Sequence, residues 1–111
     1  MIKIIMSGCN GRMGQVIAGL TQDSEEYCIV AGYDANAEKK NNFPVYSDFS
    51  QIKGAADVLI DFSHISATST VLAYCKSKKL PLVLATTGIA GDLEQEVLEA
   101  ARVIPIFKSF N

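Results

Sequence analysis

The sequence has no tryptophan, one histidine, three cysteines and three prolines in 111 residues. Each scarcity removes a class of function. His64 stands alone, and Cys9, Cys28 and Cys75 are widely spaced with no CxxC pair, so no metal-binding constellation exists. An odd cysteine count fits reduced, cytosolic thiols, small and buried, better than a disulfide framework. Positive charge is scarce as well: ten Lys and Arg against twelve Asp and Glu give a net charge of −2. That balance argues against broad attraction to nucleic acid or to an anionic membrane. Long apolar runs are also missing. No stretch approaches the ~18 residues that span a bilayer, and Lys3 before a short apolar run does not make a signal peptide. The expectation is a cytoplasmic protein with neither a membrane nor a nucleic-acid partner.

What is present is ordinary for a globular domain, with 49% hydrophobic and 20% charged residues. The length gives one domain over 1–111. Short β-branched runs alternate with longer helical ones. "IKIIM" (2–6), "YCIVAGY" (27–33), "VLI" within 56–63, "PLVLA" (81–85) and "VIPIF" (103–107) predict strands, with a short one at "FPVY". Between them, Met13, Val16, Ile17 and Leu20 recur at helical spacing from Arg12 to about Gln22. "DFSQI" predicts a single helical turn. Residues 65–79 predict a helix with Val71, Leu72 and Cys75 on one side. Residues 91–102 predict another, with Asp92 as N-cap and Leu93, Val97, Leu98 and Ala101 as its apolar face. Alternating strands and helices imply an α/β fold of Rossmann type, a mostly parallel sheet with helices on both faces. The near-continuous apolar strands agree with such burial.

"MSGCNGRMGQ" carries the chemistry. Gly8, Gly11 and Gly14 follow a strand and open a helix, the context in which a glycine loop holds a dinucleotide. Gly8 permits the tight turn, Gly11 lets backbone N–H groups approach a pyrophosphate, and Gly14 lets helix and strand pack closely. The helix N-terminus offers open N–H donors to phosphate, and Arg12 can add a charge-assisted bond there. Asp34 ends the second strand 20 residues beyond Gly14, where the fingerprint expects a carboxylate on the adenosine ribose. No arginine follows it, so it repels a 2′-phosphate and favours NADH over NADPH. Lys39 and Lys40 read as a solvated charge run, offsetting that repulsion only if their loop folds inward.

"DFS" (61–63) and "ATTG" (85–88) follow later strands, at the strand ends where open α/β sheets bind ligands. The hydroxyls of Ser63, Thr86 and Thr87 are candidates to hold a carboxamide or carboxylate, and Phe62 to line a nicotinamide. His64 has no partner pattern and reads as a loop or helix-start residue rather than a general base.

With these motifs in this order, the chain resembles the N-terminal domain of the dihydrodipicolinate reductase family of lysine and diaminopimelate synthesis. The resemblance runs through "GCNGRMGQ", the acid after the second strand, "VLIDFS", "TTG" and the final strand leading to Asn111. It implies that Gly8, Cys9, Asn10, Gly11, Arg12 and Met13 bind the cofactor pyrophosphate and Asp34 the ribose. It implies further that Ala85, Thr86 and Thr87 lie by the nicotinamide, where the family more often has Gly-Thr-Thr. Thr87 would also touch substrate, and Phe110 and Asn111 would belong to the segment near the nicotinamide. The cofactor would be NADH or NADPH, with NADH or dual use favoured. The reaction would pass hydride to a cyclic unsaturated dicarboxylate in a full-length homo-oligomer.

The family's His-His-x-x-Lys-x-Asp-x-Pro-Ser-Gly-Thr segment, with its acid catalyst and substrate-carboxylate site, does not occur in these 111 residues. The expectation is therefore a fragment whose second, substrate domain is absent, with no catalytic residue of its own, poor cofactor binding and no turnover alone. Two other readings compete. One is another two-domain dehydrogenase of the homoserine or aspartate dehydrogenase style, and the other is a stand-alone, non-catalytic NAD-sensing module.

Overall fold

The computed structural model describes residues 1–38 and 41–109. In chain order it contains β1 (Ile2–Ser7), α1 (Arg12–Thr21), β2 (Tyr27–Tyr33), β3 (Val45–Tyr46) and β4 (Val58–Asp61). Then come α2 (Thr68–Lys78), β5 (Leu82–Leu84), α3 (Asp92–Ala100) and β6 (Ile106–Lys108). Single 3-10 turns lie at Phe49–Gln51 and Ile65–Ala67. All pairings are parallel, and the six strands stand in the order β3-β2-β1-β4-β5-β6. This is the doubly wound α/β order.

The chain leaves β1 in one direction toward β2 and β3, then returns to build β4, β5 and β6 on the other side. Right-handed crossovers therefore set α1 on one face and α2 with α3 on the other. The register places Ile5, Leu59 and Leu82 side by side. They join Val71, Leu72, Cys75, Val97 and Ala100 from α2 and α3 in one apolar core. Leu59 is fully buried there, worth about 1.5–3 kcal/mol relative to exposure. Phe49 stacks between Tyr33 and Tyr74, with centroids 3.9 and 4.6 Å away, and closes that core beside β2.

Four local expectations change. On α1 the helical spacing is real, but Met13, Val16 and Leu20 are exposed, while Gly14 is buried and Ile17 and Ala18 are half-buried. The helix turns its small side toward the sheet because Gly14 admits a close approach. On α3 the buried residues are Val97 and Ala100; Leu98 is 55% exposed and Ala101 is exposed. Gly91, not Asp92, is the N-cap, at φ 61°, and no side chain caps the helix. Asp92 sits in the first turn instead, where its charge still favours the dipole. The last strand begins at Ile106 rather than Val103. Val103 and Ile104 complete the turn after α3, Ile104 buried in the core, and the Pro105 carbonyl accepts from Leu82 N–H at 3.0 Å.

One irregularity sets the end of β2. The register between β1 and β2 shifts after Ile4, from Ile4 opposite Ile29 to Ile5 opposite Ala31. The extra residue, Val30, re-phases the strand. Tyr33 then aligns with Ser7, and the next residue, Asp34, stands beside the loop that leaves β1.

Candidate functional site

The strand order reverses between β1 and β4, so their carboxyl ends flank a crevice. Three loops meet around it: residues 8–11 after β1, 62–64 after β4 and 85–88 after β5. A fourth, after β2, brings Asp34.

The glycine loop is pinned from below. Gly8 N–H donates to the Tyr33 carbonyl at 2.7 Å, and Gly11 N–H to the Gly8 carbonyl at 3.1 Å. Gly8 has φ 79°, and a Cβ there would lie 2.7–2.9 Å from Ser63 N, Phe62 C and Ser63 Cα. The loop thus lies directly on the Phe62–Ser63 peptide, and only glycine fits both the dihedral and the space. At Gly14 a Cβ would lie 2.4–2.7 Å from the Gly8 carbonyl oxygen and from Cys9 Cα and O. Gly11 differs: it is the helix N-cap at φ −77°, and its added Cβ would meet only the Gly8 oxygen, at 3.3 Å. Its side-chain position is exposed.

No side chain caps α1, so the first-turn N–H groups of Arg12, Met13 and Gly14 lack the usual helix partners and face the loop. Arg12 is exposed at this end and makes no ion pair among the described residues. Open amides, a dipole end and a guanidinium together suit an anion.

Asp34 braces this arrangement. Its Oδ2 accepts from Asn10 N–H at 2.9 Å and its Oδ1 from Asn36 N–H at 2.9 Å. A carboxylate has about four acceptor positions, so two remain for ligand hydroxyls. Cys9 is buried beneath the loop, and its thiol is pushed up to about 11 by burial and by the Asp34 charge. The thiol is therefore neutral packing, not a nucleophile.

A side-chain amide network that the motif does not reveal joins the same loops. Asn10 Nδ2 donates to the Asn36 carbonyl (2.5 Å), and Asn41 Nδ2 donates to Asn10 Oδ1 (2.8 Å). Gln15 Nε2 reaches the Cys9 carbonyl and Asn41 Oδ1, each at 2.8 Å. The density of asparagine in "CNG" and "KKNN" is the only sequence signal for it.

At the other rim, Asp61 is fully buried at the end of β4. Its Oδ1 accepts from Ser63 N–H at 3.0 Å and from Ser63 Oγ–H at 2.5 Å. Its Oδ2 lies 2.9 Å from the Thr86 hydroxyl, which is also 3.1 Å from the Ser63 carbonyl. The Ser63 and Thr86 hydroxyls, expected to reach a ligand, are thus taken up inside the protein. Thr86 is almost fully buried and Ala85 is buried, whereas Thr87 is exposed and Phe62 half-buried. Thr87 and Phe62 thus keep accessible surface in the loops that border the crevice. Cys75, on α2, is pushed up to about 12 by burial and then by the Asp61 charge.

His64 starts the 3-10 turn, its Nδ1 accepting from Ser66 N–H at 3.0 Å, which leaves it a capping role. Among the described residues no group of His, Cys, Asp or Glu could hold a metal, and no helix is long and apolar enough to cross a membrane. Lys39, Lys40, Phe110 and Asn111 lie outside the described residues.

Comparisons with known proteins agree with one another. Residues 2–111 match the family model for the dihydrodipicolinate reductase N-terminus. The chain is 44% identical over 111 residues to the 4-hydroxy-tetrahydrodipicolinate reductase of Caldanaerobacter subterraneus subsp. tengcongensis, covering 100% of this chain and 44% of the relative. It is 40% identical to the reductase of that name from Clostridium tetani, with the same coverage. Among solved structures, dipicolinate-bound dihydrodipicolinate reductase from Paenisporosarcina sp. TG-14 superimposes with a TM-score of 0.80 at 22% identity. That match covers 100% of this chain and 48% of that one. The chain thus spans somewhat under half the length of these relatives.

Proposed function

The chain belongs to the dihydrodipicolinate reductase family, and from that premise we propose that residues 1–111 form the dinucleotide-binding domain of a nicotinamide-dependent reductase. The reaction of the whole enzyme is hydride transfer to a cyclic unsaturated dicarboxylate on the route to lysine and diaminopimelate. The observation that carries this reading is the uncapped N-terminus of α1, placed under a glycine loop that only glycine at Gly8 and Gly14 can build.

The cofactor fits the donors present. The amides of Arg12, Met13 and Gly14 and the Arg12 guanidinium would hold its pyrophosphate, with Gly8, Cys9, Asn10 and Gly11 shaping the cradle. The two unused acceptor positions of Asp34 would take the ribose hydroxyls. Phe62, Ala85 and Thr87 would border the nicotinamide, with Thr87 also meeting substrate. Thr86 would contribute from behind, through its bond to Asp61. When bound, the cofactor supplies the hydride, and the protein supplies position and electrostatics.

Gly11→Val tests the reading, because Gly11 has an ordinary φ and one moderate contact, so the variant should fold. In a two-dimensional amide NMR titration with NADH, the parent should show saturable shifts at residues 8–13. The variant should bind about tenfold or more weakly, ~1.4 kcal/mol or more. Equal affinity in parent and variant would remove the phosphate-loop assignment.

We also infer a preference for NADH, or dual use. The Asp34 carboxylate is held in place by Asn10 N–H and Asn36 N–H, and a 2′-phosphate on a ribose bound to it would add like charge beside it. Titrating the parent with NADH and NADPH should give a tighter Kd for NADH or near equality. A tenfold preference for NADPH, about 1.4 kcal/mol, would mean that Lys39 or Lys40 overrides the aspartate.

A further inference from the structure

Asp61 is a fully buried carboxylate. It makes no ion pair among the described residues. Burying such a charge is costly unless donors satisfy it, and here they come from two different loops. Ser63 supplies a backbone N–H and a hydroxyl from the turn after β4. Thr86 supplies a hydroxyl from the turn after β5, 25 residues away in sequence. The backbone repeats the tie, since Ala85 N–H donates to the Asp61 carbonyl at 3.0 Å. The Phe62–Ser63 peptide in turn lies under Gly8. Three loops are therefore stacked on one carboxylate.

We propose that Asp61 is a positioning residue that clamps the turns after β4 and β5 into one rigid rim for the nicotinamide half of the dinucleotide. The proposal rests on the dinucleotide reading above. The carboxylate takes up the Ser63 and Thr86 hydroxyls, while Phe62 and Thr87 in the same two turns keep accessible surface. The adenosine half would be held by the glycine loop and Asp34, whose hydrogen bonds run to Tyr33, Asn10 and Asn36 and not to the Asp61 carboxylate.

The chemistry separates a tie from a charge. The Thr86 hydroxyl has one proton and two acceptors in reach, Asp61 Oδ2 at 2.9 Å and the Ser63 carbonyl at 3.1 Å. In Asp61→Asn the new amide can donate to Thr86 Oγ1 while that hydroxyl donates to the Ser63 carbonyl, and Oδ1 still accepts from Ser63. The asparagine keeps the clamp without the charge. Thr86→Val keeps the shape and breaks the clamp.

Amide NMR titrations of the 111-residue chain with NADH and with ADP-ribose, which lacks the nicotinamide, measure the two halves separately. The parent should bind NADH more tightly than ADP-ribose. Thr86→Val should lose most of that difference, about tenfold for a 1.4 kcal/mol increment, with its ADP-ribose affinity unchanged. Asp61→Asn should keep it. A merely structural role would weaken both ligands in parallel, and that result in Thr86→Val would overturn the clamp. So would an NADH advantage unchanged in Thr86→Val, lost in Asp61→Asn, or missing from the parent. If the parent binds neither ligand, the dinucleotide reading itself fails, and the clamp with it.

Discussion

Gly14→Val is expected to cost the chain more stability than any other change in the glycine loop that leaves φ ordinary. The added Cβ would stand 2.4 Å from the Gly8 carbonyl oxygen and 2.7 Å from Cys9 Cα and O. These are backbone atoms, and their positions are fixed by the bond from Gly8 N–H to Tyr33 and by the Phe62–Ser63 peptide beneath. Neither neighbour can rotate away, so relief must come from lifting α1 off the sheet. Strain of this kind belongs to the upper range of single-residue effects, about 3–5 kcal/mol, against a total of roughly 5–15 kcal/mol for a domain. In thermal unfolding followed by circular dichroism, the melting temperature should fall on the order of 15 °C. Gly11→Val, with one contact at 3.3 Å, should stay within a few degrees of the parent. Similar melting temperatures for the two variants would contradict the close approach of α1 to β1.

The pair also separates what one motif encodes. Gly14 serves helix–strand packing, Gly8 serves a positive φ over another loop, and Gly11 keeps ligand-side space. The spacing alone assigns these three roles in general terms, and the contacts around each Cβ make them distinct.

The sequence made the frame legible where local pattern and burial agree. "VLI" and "LVL" are continuous apolar runs because both sheet faces are covered near β1, and the glycine triplet marks the strand-to-helix turn between β1 and α1. The position of Asp34, at the end of β2 beside the glycine loop, was legible because its distance from Gly14 reflects one whole βαβ unit. The face of α1 was not. Helical spacing records periodicity, and the side that packs was decided by Gly14, which no hydrophobic count registers. The start of β6 was missed because "VIPIF" is apolar throughout, and only the tertiary position of Ile104 in the core separates turn from strand. Asp61 was missed for a related reason. Its partners sit two and 25 residues away, in the turns after two different strands, so its role depends on the β4–β5 pairing and not on any local signature.

Alkali should destabilise the fold through its buried thiols, and the direction follows from the protonation states. Cys9 and Cys75 are buried, and their thiols are pushed up from an ordinary 9.0 to about 11 and about 12, first by burial and then by Asp34 and Asp61 respectively. Below pH 9 both states of the chain keep these protons, and the full stability is present. Above it the unfolded chain releases them while the folded chain does not. The unfolded state then binds fewer protons, and stability falls as pH rises, by up to ~1.4 kcal/mol per pH unit for each thiol. The Cys9 contribution is exhausted near pH 11 and that of Cys75 near pH 12. Tyr74, raised by burial and by Cys75, adds to the slope above its ordinary 10.0. Urea unfolding at pH 8, 9, 10 and 10.5 should therefore give a steepening loss in the parent. In Cys75→Ala the loss per pH unit should be roughly half as large, by removal of one of two thiol terms. This holds even though the variant starts lower at pH 8 from its smaller side chain. Parallel profiles for parent and variant would mean that the Cys75 thiol ionises as readily folded as unfolded. That would be incompatible with a side chain sealed between α2 and the sheet beside a buried carboxylate.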